Sequence, residues 1–318
     1  TATGTLTVEG NNGSYSYDAE NDVITVKNGA ELTFHSAKGY GAKNPSKTRI
    51  FVEKDAKATL TLDGVYINVS DKAASPLEIA KNSVGAVSVV LEGSNALTAG
   101  KNSAGIQKNG TADGTLTISG SGTLTAQGGE YGAGIGGGKN GVGSNIGISG
   151  GTVTATGGLC GAGIGGGGDY YESDVRGVGS NITINGGEVT ATGGDFGAGI
   201  GGGDRGTASN ITISGGTITA TGGESGAGVG SGYYESGSNI TISGGTVIAQ
   251  GGNQGAGIGG GKNGAGSSIT ISGGMVTTTG GNGGAGIGSG YHESASNISI
   301  SGGTVIAKGG YNGAGIGG

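Results

Sequence analysis

Three short segments of this chain carry the residue types best suited to chemistry: Tyr170-Tyr171-Glu172-Ser173, Tyr233-Tyr234-Glu235-Ser236 and Tyr291-His292-Glu293-Ser294. Tyrosine rings beside carboxylates suit carbohydrate, because a ring face covers sugar C–H groups while polar neighbours bond the hydroxyls. The same tyrosines would equally well shield a backbone corner from water. Lys139-Asn140 precedes them, and Asp204-Arg205 and Lys262-Asn263 stand between them, so aromatic and basic turns are interleaved. The densest acidic group is Asp169, Glu172 and Asp174. Three oxygen-bearing side chains on a glycine-rich loop can hold calcium, but their spacing matches no known calcium loop. A solvated turn is the simpler reading, and no cofactor is otherwise indicated.

Signs of catalysis are sparse. The two histidines, His35 and His292, lie far apart in the sequence, and Glu188 is the only acid on a strand of the regular repeats. Glycosidic cleavage needs a pair of carboxylates flanking the scissile bond, and no strand supplies one. A non-enzyme is expected. Cys160 is the only cysteine, which rules out an intrachain disulfide. It falls where sister turns carry Tyr131, Phe196, Ser225 or Gln254, the setting of an incidental small residue rather than a reactive thiol. The net charge of -6 without a basic cluster argues against nucleic acid as a partner. No apolar run reaches membrane-spanning length, so membrane insertion is not expected.

What must position these turns is a repeat. The string GAGIG or a close copy begins at Gly132, Gly161, Gly197, Gly226, Gly255, Gly284 and Gly313, in steps of 29 residues with one step of 36. A period of this size marks a solenoid, in which each unit stacks on its neighbours. Residues 239–258 show one unit: NITIS, a Gly-Gly corner, TVIAQ, a second Gly-Gly corner, then GAGI. Alternation with period two places Ile240 and Ile242, Val247 and Ala249, and Ala256 and Ile258 inward. Three short strands bounded by glycine corners fit one coil of a parallel β-helix; a propeller blade needs about 40 residues and four strands. Glycine makes up 84 of the 318 residues, but with 2 prolines and no Gly-X-Y register the chain is not collagen. Asn145, Asn181, Asn210, Asn239 and Asn297 share one corner, with Ser268 substituting once, which predicts an amide ladder that satisfies backbone groups at the turn.

The expected architecture is all-β: a right-handed parallel β-helix of about 29 residues per coil with an N-terminal cap. The cap would be residues 1–57, followed by degenerate coils at 58–113 and regular glycine-rich coils at 114–318. The last of these stops mid-repeat, as expected for a fragment of a longer protein. Two further faces follow from the alternation. One presents threonines, among them Thr152, Thr154, Thr190, Thr192, Thr219 and Thr221, in a grid that an ice-binding solenoid would use, though Glu188, Ile248, Gln250, Met275, Ile306 and Lys308 interrupt it. Threonine is also simply a good exposed strand former. The other face carries the outward glycines of GAGIG, such as Gly161, Gly163, Gly197 and Gly199. These serve either close self-association or tight bends of a narrow coil.

The strings NITISGGTITATGG and GAGVGSG (210–232) resemble coils of the pectin-lyase-like parallel β-helix superfamily. GTLTISGSGTLTAQGG (114–129) and VVLEGSNALTAG (89–100) resemble carbohydrate-binding or adhesin repeats of secreted Gram-positive bacterial surface proteins. The resemblance covers roughly residues 58–318. It implies a secreted or surface-anchored bacterial protein with a polysaccharide or host glycan as partner. Contact with that partner would be through Tyr170, Tyr171, Glu172, Tyr233, Tyr234, Glu235, Tyr291, His292 and Glu293. A stalk that spaces other domains is the main alternative. A polysaccharide-cleaving enzyme is less favoured, since the aspartates that pectinolytic relatives carry on neighbouring coils have no match in these strands.

Overall fold

The computed structural model describes residues 2–170 and 177–318. Its strands are short and form three parallel-stacked sheets of 12, 9 and 12 strands. One coil runs Gly237–Ile242, Thr246–Gln250 and Ile258–Gly259, one strand in each sheet, before the chain rises to the next. β-Branched residues at alternating positions favour the extended backbone, and glycine pairs end each strand where the chain must turn. Ile211 pairs with Ile240 and Ile240 with Ile269, so the register advances by the 29-residue repeat. Parallel β-crossovers of this kind favour right-handed winding.

The 36-residue step leaves the register intact. Ile146 pairs with Ile182 and Ile164 with Ile200 across it. The extra residues therefore lie between Gly165 and Gly179, in the turn that carries Tyr170.

Inward side chains stack like on like. Ile182, Ile211, Ile240 and Ile269 form one fully buried row; Val153, Val189, Ile218, Val247 and Val276 form another. Every inward residue foreseen in the coil at 239–258 is buried. Each large aliphatic side chain so buried stabilises the fold by roughly 1.5–3 kcal/mol. In the alanine row Ala155, Ala191, Ala220 and Ala249 are followed by Thr278, whose buried hydroxyl has no hydrogen-bond partner.

The parallel ladder extends further towards the N-terminus than the repeat does. Val23–Val26 already pairs in parallel with Arg49–Val52, and Ala30–Ser36 with Ala58–Asp63. Only the preceding strands are antiparallel. Leu6–Gly10 closes on Ala30–Ser36 and Tyr15–Asp18 on Val23–Val26, and Tyr15 and Tyr17 pack against the core. The coils thus begin inside the segment expected to be cap, because strand alternation persists there in a sequence without the glycine signature. Among the described residues no helix is long and apolar enough to cross a membrane.

The asparagine corner forms a ladder of side chains. Nδ2 of Asn181, Asn210 and Asn239 each donates to Oδ1 of the asparagine one coil below, at 2.9, 3.0 and 3.3 Å. The amides mostly bond one another rather than the backbone; Asn145, at the foot, donates to the Ala112 carbonyl. All hold left-handed backbone, with φ between 51° and 55°.

The GAGIG glycines do not form an open face. Gly161, Gly163, Gly197, Gly199, Gly226 and Gly228 are all buried within the stack. A Cβ at Gly163 would stand 2.6 Å from both the Gly199 carbonyl oxygen and the Thr192 nitrogen. Tight bends with neighbouring coils in contact explain these glycines.

Candidate functional site

The turns after each Ile-Gly strand are tied to the coil beneath by one recurring bond. The amides of Gly168, Asp204, Tyr233, Lys262 and Tyr291 donate to the carbonyls of Tyr131, Cys160, Phe196, Ser225 and Gln254, at 2.7–3.0 Å. Each turn is therefore set over the residue that precedes GAGIG one coil earlier. Two columns that are separate in sequence become one edge.

Along that edge the aromatic rings meet. The Tyr170 and Phe196 centroids lie 5.4 Å apart, Phe196 and Tyr233 5.7 Å, and Tyr233 and Tyr234 4.0 Å. Lys262 Nζ stands 5.6 Å from the Tyr233 centroid, within cation–π range. Towards the N-terminus, Lys101 and Lys139 flank the ring of buried Tyr131 at 5.6 and 5.3 Å. Tyr170 and Tyr234 are about half exposed, at 53% and 52%. Tyr291 and His292 form a second ring pair at 3.7 Å, two coils beyond Tyr233. The Tyr291 ring lies over Gly283, where a Cβ would collide with it.

Of the sequence-derived candidates, the fold joins Tyr170, Tyr233 and Tyr234 in one row and sets Tyr291 and His292 on the same edge. Tyr171, Glu172 and Asp174 lie outside the described residues. Glu293 is exposed, and Glu235 is half-buried. Phe196, the ring that bridges Tyr170 to Tyr233, was missed. Its column had been recognised, but contact between that column and the next coil's turn depends on how the coils stack.

Two serines were also missed. Ser231 and Ser289 are buried, and their hydroxyls donate to the carbonyls of Glu235 and Glu293. The Ser231 hydroxyl also accepts from the Gly261 amide at 2.9 Å. The signal was present in the repeat: glycine stands at this position as Gly137, Gly166, Gly202 and Gly260, and serine appears only ahead of YYES and YHES.

Asp169 and Asp204 are buried. Asp169 is 1% exposed, with Oδ2 3.0 Å from Lys139 Nζ. An ion-paired, buried carboxylate is not a solvated turn residue, and it is not aimed outward at a cation. Among the described residues no group of three or more His, Cys, Asp or Glu side chains is arranged to hold a metal. Asp204, one coil on, is 2% exposed and its Oδ1 has no hydrogen-bond partner. Burial pushes its carboxyl up to about 6; the Arg205 charge opposes this, and the Asp169 charge adds to it. Burial, reinforced by Asp204, Asp169 and Glu130, likewise pushes the Cys160 thiol up to about 12. A thiol so raised has almost no thiolate at neutral pH, so Cys160 is a packing residue.

A second concavity, an open groove of about 430 Å³, runs beside the threonine strands and is lined by Thr192, Thr221, Glu224, Gln250, Asn253 and Asn282. It has polar walls and a glycine floor but no ring to stack on a sugar, which makes the aromatic edge the better candidate.

A family model described as a beta helix repeat matches residues 116–139, 146–168, 182–204, 211–233, 240–262, 269–291 and 298–318, half of the chain in all. No curated protein and no solved structure matches the chain.

Proposed function

This chain belongs to the beta helix repeat family, and from that premise we propose that it is a non-catalytic surface protein of a bacterium that binds glycan along its aromatic edge. The observation that carries the reading is the row Tyr170–Phe196–Tyr233–Tyr234, with ring spacings of 4.0–5.7 Å and Lys262 over one face. Rings repeated at the rise of a coil, about 4.8 Å, offer stacking platforms to successive sugars. In this reading the lysine ammonium and the Glu235 and Glu293 carboxylates would bond hydroxyls. A role without catalysis is supported by the burial of Asp169 and Asp204. Neither carboxyl faces outward, where it would protonate a glycosidic oxygen or activate water. Secretion is part of the proposal and rests on the resemblance to secreted surface repeats.

A stalk is the second reading. It is favoured by the three sheets that run the length of the coils without a break in register, which is what a stiff spacer requires.

A broad array of plant polysaccharides and host mucin sugars separates the two. The wild type is compared with a variant carrying Tyr170→Ala, Tyr233→Ala, Tyr234→Ala and Tyr291→Ala, both checked for the same β-rich circular dichroism. Specific binding that weakens at least tenfold in the variant is the expected result, since each stacked ring contributes about 0.5–1.5 kcal/mol. No binding by either protein leaves the stalk.

A further inference from the structure

Among the described residues fifteen non-glycine positions hold positive φ, and eleven of them are Asn or Asp. This is the expected bias, because short polar side chains tolerate left-handed backbone, as histidine also does, while long side chains and tyrosine do not. A twelfth, Ser268, stands in the asparagine column. The three that remain are Arg205 (φ 49°), Tyr234 (φ 63°) and His292 (φ 66°). All three occupy one position of the repeat, the second residue of the turn on the aromatic edge. At that position the neighbouring turns carry Asn140 (φ 54°) and Asn263 (φ 56°). The backbone there calls for asparagine, and three turns decline it.

Burial does not force the exceptions. Tyr234 is 52% exposed, His292 is exposed and Arg205 is half-buried; Tyr234 and His292 each touch only the ring of the residue before, Tyr233 or Tyr291, among the ring contacts of the described residues. Strain kept at solvent-reached positions that line one edge is a mark of function rather than of folding. We infer that Arg205, Tyr234 and His292 are the residues that read the ligand, and that the ligand is an extended oligosaccharide lying along the solenoid axis. Three coil rises separate Arg205 from His292, a span of about 14 Å. That is too long for a monosaccharide to bridge. Arg205 offers a planar fork of donors, Tyr234 a stacking face, and His292 a ring with a donor. This assignment rests on the glycan reading above and sharpens it.

The test replaces each residue by the one its sister turns use: Arg205→Asn, Tyr234→Asn and His292→Asn. Binding is measured by calorimetry with the best glycan of the array, as a series from the monosaccharide upward, alongside thermal melts. The expected result is at least tenfold weaker binding in each variant. Their melting temperatures should stand within about 2 °C of wild type or above it. Wild-type affinity should rise with chain length until the three coils are spanned. Asparagine variants that bind as wild type does, while the tyrosine-to-alanine variant does not, overturn this assignment and leave the glycan reading standing. So does a melting temperature lowered by more than a few degrees, which would make the residues structural. A wild type that binds no glycan overturns both.

Discussion

At the residue scale the chain sets Asp204 in conflict with its surroundings. Its buried carboxyl has an unpartnered oxygen, and its pKa is pushed up from 3.8 to about 6. A raised folded-state pKa means the proton is held more tightly in the fold than in the unfolded chain. The associated stability is complete below about pH 3.8 and is lost as pH rises through about 6. Asp204→Asn removes the ionisation. Its stability should match wild type near pH 3.5 and exceed it at pH 7.5 by about 3 kcal/mol. Denaturant melts at the two pH values check this; an equal difference at both would deny the burial penalty. That Asp204 turns inward was not legible in the sequence, where Asp204-Arg205 stands simply as one of the basic turns between the tyrosine turns. In the stacked coils its amide donates to the Cys160 carbonyl, one coil away, and its carboxyl is buried.

At the element scale the asparagine ladder was foreseen, and its bonding partners were not. Periodicity placed the residues in one column. Whether an amide in that column reaches a carbonyl or the next amide depends on its backbone angle, and at φ between 51° and 55° the side chains face along the axis. Ser268 interrupts the column between Asn239 and Asn297, with a φ of 52° that asparagine tolerates better. Ser268→Asn should therefore extend the ladder by up to two amide bonds. The expected gain is about 1–2 kcal/mol, seen as a higher denaturant midpoint with an unchanged slope. A midpoint at or below wild type would show that the ladder contributes no net stability.

At the scale of the whole molecule, stacking sets the tolerance of each glycine. A Cβ at Gly223 would fall on the carbonyl oxygen of Gly194 in the coil below, backbone that has nowhere to move. At Gly147, inside the strand Gly143–Ile148, the nearest atom to a Cβ would be 3.8 Å away, and sister coils carry Thr183 and Thr212 there. Gly223→Ala should abolish or severely weaken folding, because two coils must part to admit the methyl. Gly147→Thr should be neutral or stabilise by roughly 0.5–1 kcal/mol. Thermal melts of the two variants check the pair, and similar melting temperatures would contradict the stacking account.

The sequence alone determined the coil, its length, its inward rows and the repetition of its turns. Each of these follows from local rules of alternation, glycine corners and a constant period, written again in every unit. It also singled out the tyrosine turns, as either a place of ligand contact or a shield for the corner. Only the tertiary structure decided which turns touch. The bond from each turn to the preceding coil brings Phe196 between Tyr170 and Tyr233, buries Asp169 and Asp204, and closes the glycine strand against its neighbours. Such contacts join residues about one repeat apart in different columns. A one-dimensional pattern records the columns but not the offset between them, because that offset arises from how the coils pack.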